Sequence, residues 1–178
     1  MLDALAKKPR IKLLACDVDG VLTDGGMYFG VEGQVMKRFN VKDGLGMTLL
    51  RESGVSIAFI SADNSPICRA RGEKLQVHDI CFGVADKAET LRELMARDGL
   101  TPDEVVYVGD DLPDLCLVPV AGLFAAPADA VDEVKQAAGY VTEAPGGQGA
   151  MREICDAIRA HNAAVGAPAS SRQESADA

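Results

Sequence analysis

The sequence predicts an α/β protein: a Rossmann-like three-layer α/β/α domain on a parallel sheet, with a projecting β-hairpin and no cap domain. Three observations point there. Short apolar runs alternate with helix-like stretches along the 178 residues, the pattern of a parallel sheet covered on both faces. Three of those runs lead straight into carboxylates or a hydroxyl, and the C-terminal edge of such a sheet is where ligands bind. One segment, 25–40, breaks the alternation.

The elements follow in order. Residues 11–16, Ile-Lys-Leu-Leu-Ala-Cys, make the first strand. Within 25–40, Met27-Tyr28-Phe29 and Gln34-Val35-Met36 flank a Gly-Val-Glu-Gly turn, which predicts a hairpin. It either folds onto its own sheet or buries its apolar residues against another subunit. A helix over 44–52 leads to a strand over 55–60, and Ser65-Pro66 starts a helix over 66–75. A strand over 77–82 and a helix over 87–98 come next, then Thr101-Pro102-Asp103 turns the chain into a strand over 104–108. Short strands at 122–125 and 140–141, with helices over 130–137 and 149–161, complete the alternation. No remaining stretch is long enough for a lid domain.

The domain therefore spans 11–162, after an N-terminal extension of residues 1–10. Residues 163–178 are rich in Ala, Ser, Gly, Pro and charge without apolar periodicity, which predicts a disordered tail. A single domain of this length buries roughly 70% of its unfolded surface.

Composition narrows the function. The net charge of -9 argues against nucleic acid and anionic membranes as partners. No apolar stretch approaches the roughly 20 residues that span a bilayer, and the N-terminus lacks a signal-peptide layout. The expected location is cytoplasmic. The five cysteines are scattered without C-x-x-C spacing and read as reduced core residues. Two histidines are too few for a His-rich metal site.

The chemistry lies at the strand ends. Asp17-Val18-Asp19-Gly20 places two carboxylates after the first strand, followed by a glycine turn whose N–H groups can cradle an anion. Ser61, then Ala62 and Asp63, ends the second strand of the sheet, where a hydroxyl can bond a phosphate oxygen; an ordinary turn would place a serine there too. Lys87 opens a helix, where a lysine makes an anion site or simply a solvated surface. Gly109-Asp110-Asp111-Leu112-Pro113-Asp114 packs three acids into five residues, costly unless a cation neutralises them. Clustered carboxylates suit Mg²⁺.

Taken in order, Asp-Val-Asp-Gly-Val-Leu-Thr-Asp (17–24), Ser61, Lys87 and Gly-Asp-Asp-Leu-Pro-Asp (109–114) resemble the four motifs of the haloacid dehalogenase superfamily in its phosphatase form. The resemblance implies that Asp17 is the nucleophile and Asp19 the general acid and base. It implies that Ser61 and Lys87 stabilise the phosphoryl group, and that Mg²⁺ is held by Asp17, the Asp19 carbonyl and Asp110. Asp111 and Asp114 would orient a metal-bound water or the lysine.

Nearly the whole chain before the tail resembles the capless phosphatases of 3-deoxy-D-manno-octulosonate 8-phosphate, through residues 17–25, the hairpin, Phe-Asn-Val-Lys-Asp-Gly (39–44), 109–114 and Gly-Gly-Gln-Gly-Ala-Met-Arg-Glu (146–153). That implies a small sugar acid phosphate as substrate and a homotetramer built through the hairpins. It also implies that 146–152 covers a site, with Arg152 available to an anionic group.

One departure is notable. Those phosphatases usually follow the motif-two hydroxyl with Gly-Arg, whereas Ala62-Asp63 stands here. Asp63 and Lys74 look similar to a pair in the branch acting on nine-carbon sugar acid 9-phosphates. The eight- and nine-carbon substrates both stay open, as does a non-catalytic assembly domain.

Overall fold

The computed structural model describes residues 1–166. Six parallel strands form the sheet: β1 (Leu13–Cys16), β4 (Ser56–Ser61), β5 (Asp79–Phe82), β6 (Val105–Val108), β7 (Leu123–Ala126) and β8 (Tyr140–Val141). Their order is β5-β4-β1-β6-β7-β8. The strand order reverses direction beside β1, which pairs with β4 on one side and β6 on the other. Such a switch point opens a crevice beyond the strand ends.

Strand alternation builds two cores. Leu14, Cys16, Ile57, Phe59, Val106 and Val108 face one side. There they meet α1 (Leu2–Leu5), α2 (Val41–Glu52), α3 (Pro66–Lys74) and α6 (Ala150–Gly166). Leu13, Ala15, Ala58, Ile60, Val105 and Tyr107 face the other, under α4 (Lys87–Asp98) and α5 (Asp132–Ala137). Each fully buried large apolar side chain contributes roughly 1.5–3 kcal/mol. In α6 the buried positions Met151, Ile154, Cys155 and Ile158 repeat at helical spacing and pack on α2. Among the described residues no helix is long and apolar enough to cross a membrane.

The helix ends follow their caps. Asn40 accepts from the Lys42 N–H at 2.8 Å, so α2 begins three residues before the predicted start at Gly44. Asp86 caps α4 through the Glu89 N–H at 2.9 Å, and Gly99 closes it at φ 63°. The segment 25–40 holds an antiparallel hairpin, β2 (Tyr28–Gly30) and β3 (Gly33–Met36), whose strands pair, among the described residues, only with each other.

Two boundaries differ from expectation. Residues 1–10 are more than an extension: Leu5 is fully buried in the core, and Pro9 and Ile11 bond His161 and Asn162 of α6. Those bonds anchor the last turns of α6, which runs on through the good helix formers Ala163 and Ala164 to Gly166. The predicted tail thus loses its first four residues to a helix, and 167–178 lie outside the described residues.

Candidate active site

Asp17 follows β1 directly, and its N–H donates to the Val108 carbonyl at 3.0 Å. This ties the ends of β1 and β6 together and brings the Asp110 turn beside Asp17. Ser61 ends β4 on the other flank, and Lys87 reaches in from the first turn of α4. The result is a cleft of about 410 Å³ whose lining includes Asp17, Asp19, Ser61, Ala62, Asp63, Lys87, Asp110, Asp111 and Asp114. Residues from four separate stretches of sequence meet at one sheet edge.

Two glycines make the close approach possible. At Gly20, φ is 81° and a Cβ would lie 1.9 Å from an Asp110 carboxylate oxygen. At Gly146 a Cβ would lie 1.8 Å from the Gly20 carbonyl oxygen, so the 146–149 turn backs the motif carrying Asp17 and Asp19. Asp43 of α2 fixes that turn from behind, accepting from the N–H groups of Gly149 and Arg152 at 3.2 and 2.8 Å.

Lys87 is the cationic centre. Its ammonium sits 3.1 Å from Asp17 Oδ1 and 2.8 Å from Asp114 Oδ1, with both acids nearly buried. Burial opposes its charge, but Asp17 and Asp114 outweigh burial and raise its pKa. Asp114 is fully committed. It also accepts from the Tyr107 hydroxyl at 2.9 Å and the Asp110 N–H at 3.1 Å. Asp111, more exposed, caps the following 3₁₀ turn through the Leu112 N–H.

Asp17 and Asp110 are in a different condition. Asp110 Oδ1 is buried without a hydrogen-bond partner, and the buried Asp17 Oδ1 has only the charge of Lys87 facing it, outside hydrogen-bond geometry. Burial raises the Asp17 pKa from 3.8 to about 6, despite Lys87. Burial, then the charges of Asp17, Asp114 and Asp111, raises Asp110 from 3.8 to about 8. Oxygens of Asp17, Asp110 and Asp114 lie within 4.8 Å of one another. An oxygen-preferring divalent cation fits this donor set, because it would satisfy the orphaned Asp110 oxygen and offset the crowded charge.

A residue that sequence reasoning missed lies behind two acids of the cleft. Lys37, just past β3, has a side chain with no solvent exposure and donates to Asp19 Oδ2 and Asp63 Oδ2, both at 2.7 Å. Burial opposes its charge, yet the bonds to Asp19 and Asp63 hold its pKa above the ordinary lysine range. Its place at the foot of the hairpin was the only available signal.

Two expected substrate contacts are not brought in. Lys74 lies exposed in the last turn of α3. Arg152 sits in the first turn of α6 with its Nε 2.6 Å from Asp156, away from the cleft lining. The hairpin side is lined by Met27, Phe29 and Gln34 in an adjoining pocket of about 430 Å³, which shares Asp19 and Asp63 with the cleft.

Known proteins carry the same architecture. The 3-deoxy-D-manno-octulosonate 8-phosphate phosphatase of Yersinia pestis is 39% identical over 156 residues, spanning 88% of this chain and 83% of that protein. The crystal structure of the Moraxella catarrhalis phosphatase of that name, in complex with magnesium, phosphate and KDO, superimposes with a TM-score of 0.87. It is 35% identical and covers 93% of this chain and 95% of its own. A cobalt-bound form from Haemophilus influenzae gives 0.85 at 36% identity, covering 91% and 93%. The family model for haloacid dehalogenase-like hydrolases matches residues 52–154, more than half of the sequence. With relatives this similar over most of its length, the chain belongs to the haloacid dehalogenase-like hydrolase family.

Proposed function

We propose that this chain is a Mg²⁺-dependent phosphatase that hydrolyses the phosphomonoester of a 2-keto-3-deoxy sugar acid, of the 3-deoxy-D-manno-octulosonate 8-phosphate type. The observation that carries the reading is the cluster of buried carboxylates at the end of β1, where Asp17 faces Lys87 and Asp110 Oδ1 has no hydrogen-bond partner. The similarity to octulosonate phosphatases supports the substrate class.

Asp17, the Asp19 carbonyl and Asp110 would hold the Mg²⁺, which supplies positive charge next to the phosphoryl group when bound. The chain's own residues do the rest. A carboxylate oxygen of Asp17 bonds to phosphorus as the ester P–O bond breaks, and the leaving oxygen takes its proton from Asp19. Lys87 and the Ser61 hydroxyl stabilise the phosphoryl oxygens. Asp19 then accepts a proton from water, whose oxygen attacks the aspartyl-phosphate; the bond to Asp17 breaks and orthophosphate leaves.

A second reading rests on Asp63. The acid stands where octulosonate phosphatases usually carry Arg, which favours a nine-carbon sugar acid 9-phosphate. Against it, Lys74 lies outside the cleft lining and Asp63 already has a partner in Lys37. Phosphate release from the eight- and nine-carbon substrates, side by side with Mg²⁺ and with Asp17→Asn as control, decides between them. No release from either by a folded, Mg²⁺-binding protein would favour a non-catalytic assembly domain.

The same proposal includes a cytoplasmic homotetramer assembled through the hairpin. Its support is the exposure of apolar residues there: Phe29 is 66% exposed and Val35 63%. Light scattering of the intact protein and of a Phe29→Ser, Val35→Ser variant tests it. A monomeric wild-type protein would end the tetramer reading.

A further inference from the structure

Asp19 has to present its carboxyl to a leaving oxygen, yet little of its own backbone holds it there. The Thr23 hydroxyl is 3.5 Å from Oδ1, at the limit of a hydrogen bond. The close contact is Lys37, at 2.7 Å from Oδ2. Lys37 is in turn pinned by Asp63 at 2.7 Å, and the Asp63 N–H donates to Ser61 Oγ at 3.2 Å. Ser61, Asp63, Lys37 and Asp19 thus form one chain of contacts from the end of β4 to the end of β1. The ammonium has no exposure, so leaving either carboxylate would strand a buried charge, which is strongly unfavourable. The grouping of Asp19, Asp63 and Cys68 has the donor spacing of a metal site, but the lysine already occupies its centre.

We infer that Lys37 is a positioning residue for Asp19, and that Asp63 is its counter-anchor, acting on leaving-group departure through Lys37 and not by touching the substrate. This rests on the phosphatase reading above. It also gives the departure from Arg at position 63 a role inside the chain: an acid there holds the lysine, where a cation would repel it.

The test compares two esters lacking any sugar acid group. Glycerol phosphate leaves as an alkoxide and needs a placed proton donor; p-nitrophenyl phosphate leaves as a stabilised phenolate and needs little help. The value of kcat/KM reports the steps up to ester cleavage, so the alkyl-to-aryl ratio of kcat/KM isolates proton donation. Lys37→Met should lower that ratio on the order of 100-fold, and Asp63→Ala about tenfold. A purely structural role would lower both esters equally. Asp63→Ala, at a half-exposed side chain, keeps the test alive if Lys37→Met fails to fold. An unchanged ratio in either folded variant overturns the inference. So does an Asp63→Ala effect confined to the KM of the sugar acid phosphate, which would make Asp63 a substrate contact. A wild-type protein inactive on every phosphate ester would overturn the phosphatase reading, and this inference with it.

Discussion

Lys87 and Asp114 form a buried ion pair, 2.8 Å apart, in which the acid is 1% exposed and the lysine 8%. The pair fixes the ammonium that faces Asp17. Asp114 gains three hydrogen bonds, from Lys87, Tyr107 and the Asp110 N–H, so its removal strands three donors at once. We expect Asp114→Ala to lower stability on the order of 3 kcal/mol, seen as a lower denaturation midpoint at constant slope. A loss under about 0.5 kcal/mol, the range of ordinary surface substitutions, would mean that the pair contributes little.

The acids facing the cleft set a pH dependence with a definite sign. In the folded chain Asp17 titrates near about 6 and Asp110 near about 8, against 3.8 for both when unperturbed. Between those limits the folded state binds more protons than the unfolded one. The stability held at low pH is therefore lost as pH rises through the two folded values. The metal-free protein should melt at falling temperature from about pH 5 to about pH 9, and Mg²⁺ should flatten the fall. Thermal melts in chelator and in Mg²⁺ check this; a flat curve in chelator would count against it.

Gly146→Ala tests the backing of the catalytic turn. The new methyl group would collide with the Gly20 carbonyl, and backbone cannot swing aside as a flexible side chain can. Overpacking of this kind costs typically 1–3 kcal/mol. Phosphatase activity should fall further than stability does, because Gly20 borders Asp110. Melting temperature and kcat measured on the same preparation separate the two effects.

Chelation should abolish phosphate release and Mg²⁺ should restore it. Ca²⁺, which tolerates a looser coordination geometry, should inhibit by competing for the carboxylates while misplacing Asp17. Activity unaffected by chelator would remove the metal from the mechanism.

The sequence announced what is local. The helix over 87–98 was legible to the residue, since Asp86 and Gly99 are cap signals written beside its ends. Asp17, Asp19, Ser61 and Asp110 were legible because each directly follows an apolar strand, and parallel pairing brings those strand ends to one edge. Lys37 was not, because its partners stand 18 and 26 residues away and only the folded hairpin brings it to them. The contact of Arg152 is local instead: Asp156, one helical turn on, meets its guanidinium. The first helix escaped notice because four residues carry no periodicity, and its anchor is the tertiary burial of Leu5.

The pairing of β1 with β6 has a consequence for synthesis. Asp17 and Asp110 follow neighbouring strands that are far apart in the chain, and the two sheet strands between them in sequence, β4 and β5, lie on the other side of β1. On the ribosome, the N-terminal part emerges with Asp17 at the end of β1 and the neighbouring β6 still to come. Until residues 105–110 have cleared the exit tunnel and docked, Asp110 and Asp114 cannot join Asp17 in the carboxylate group that suits a divalent ion. The acidic cluster therefore waits for more than half of the chain, and the turn at Gly146 that backs it arrives later still.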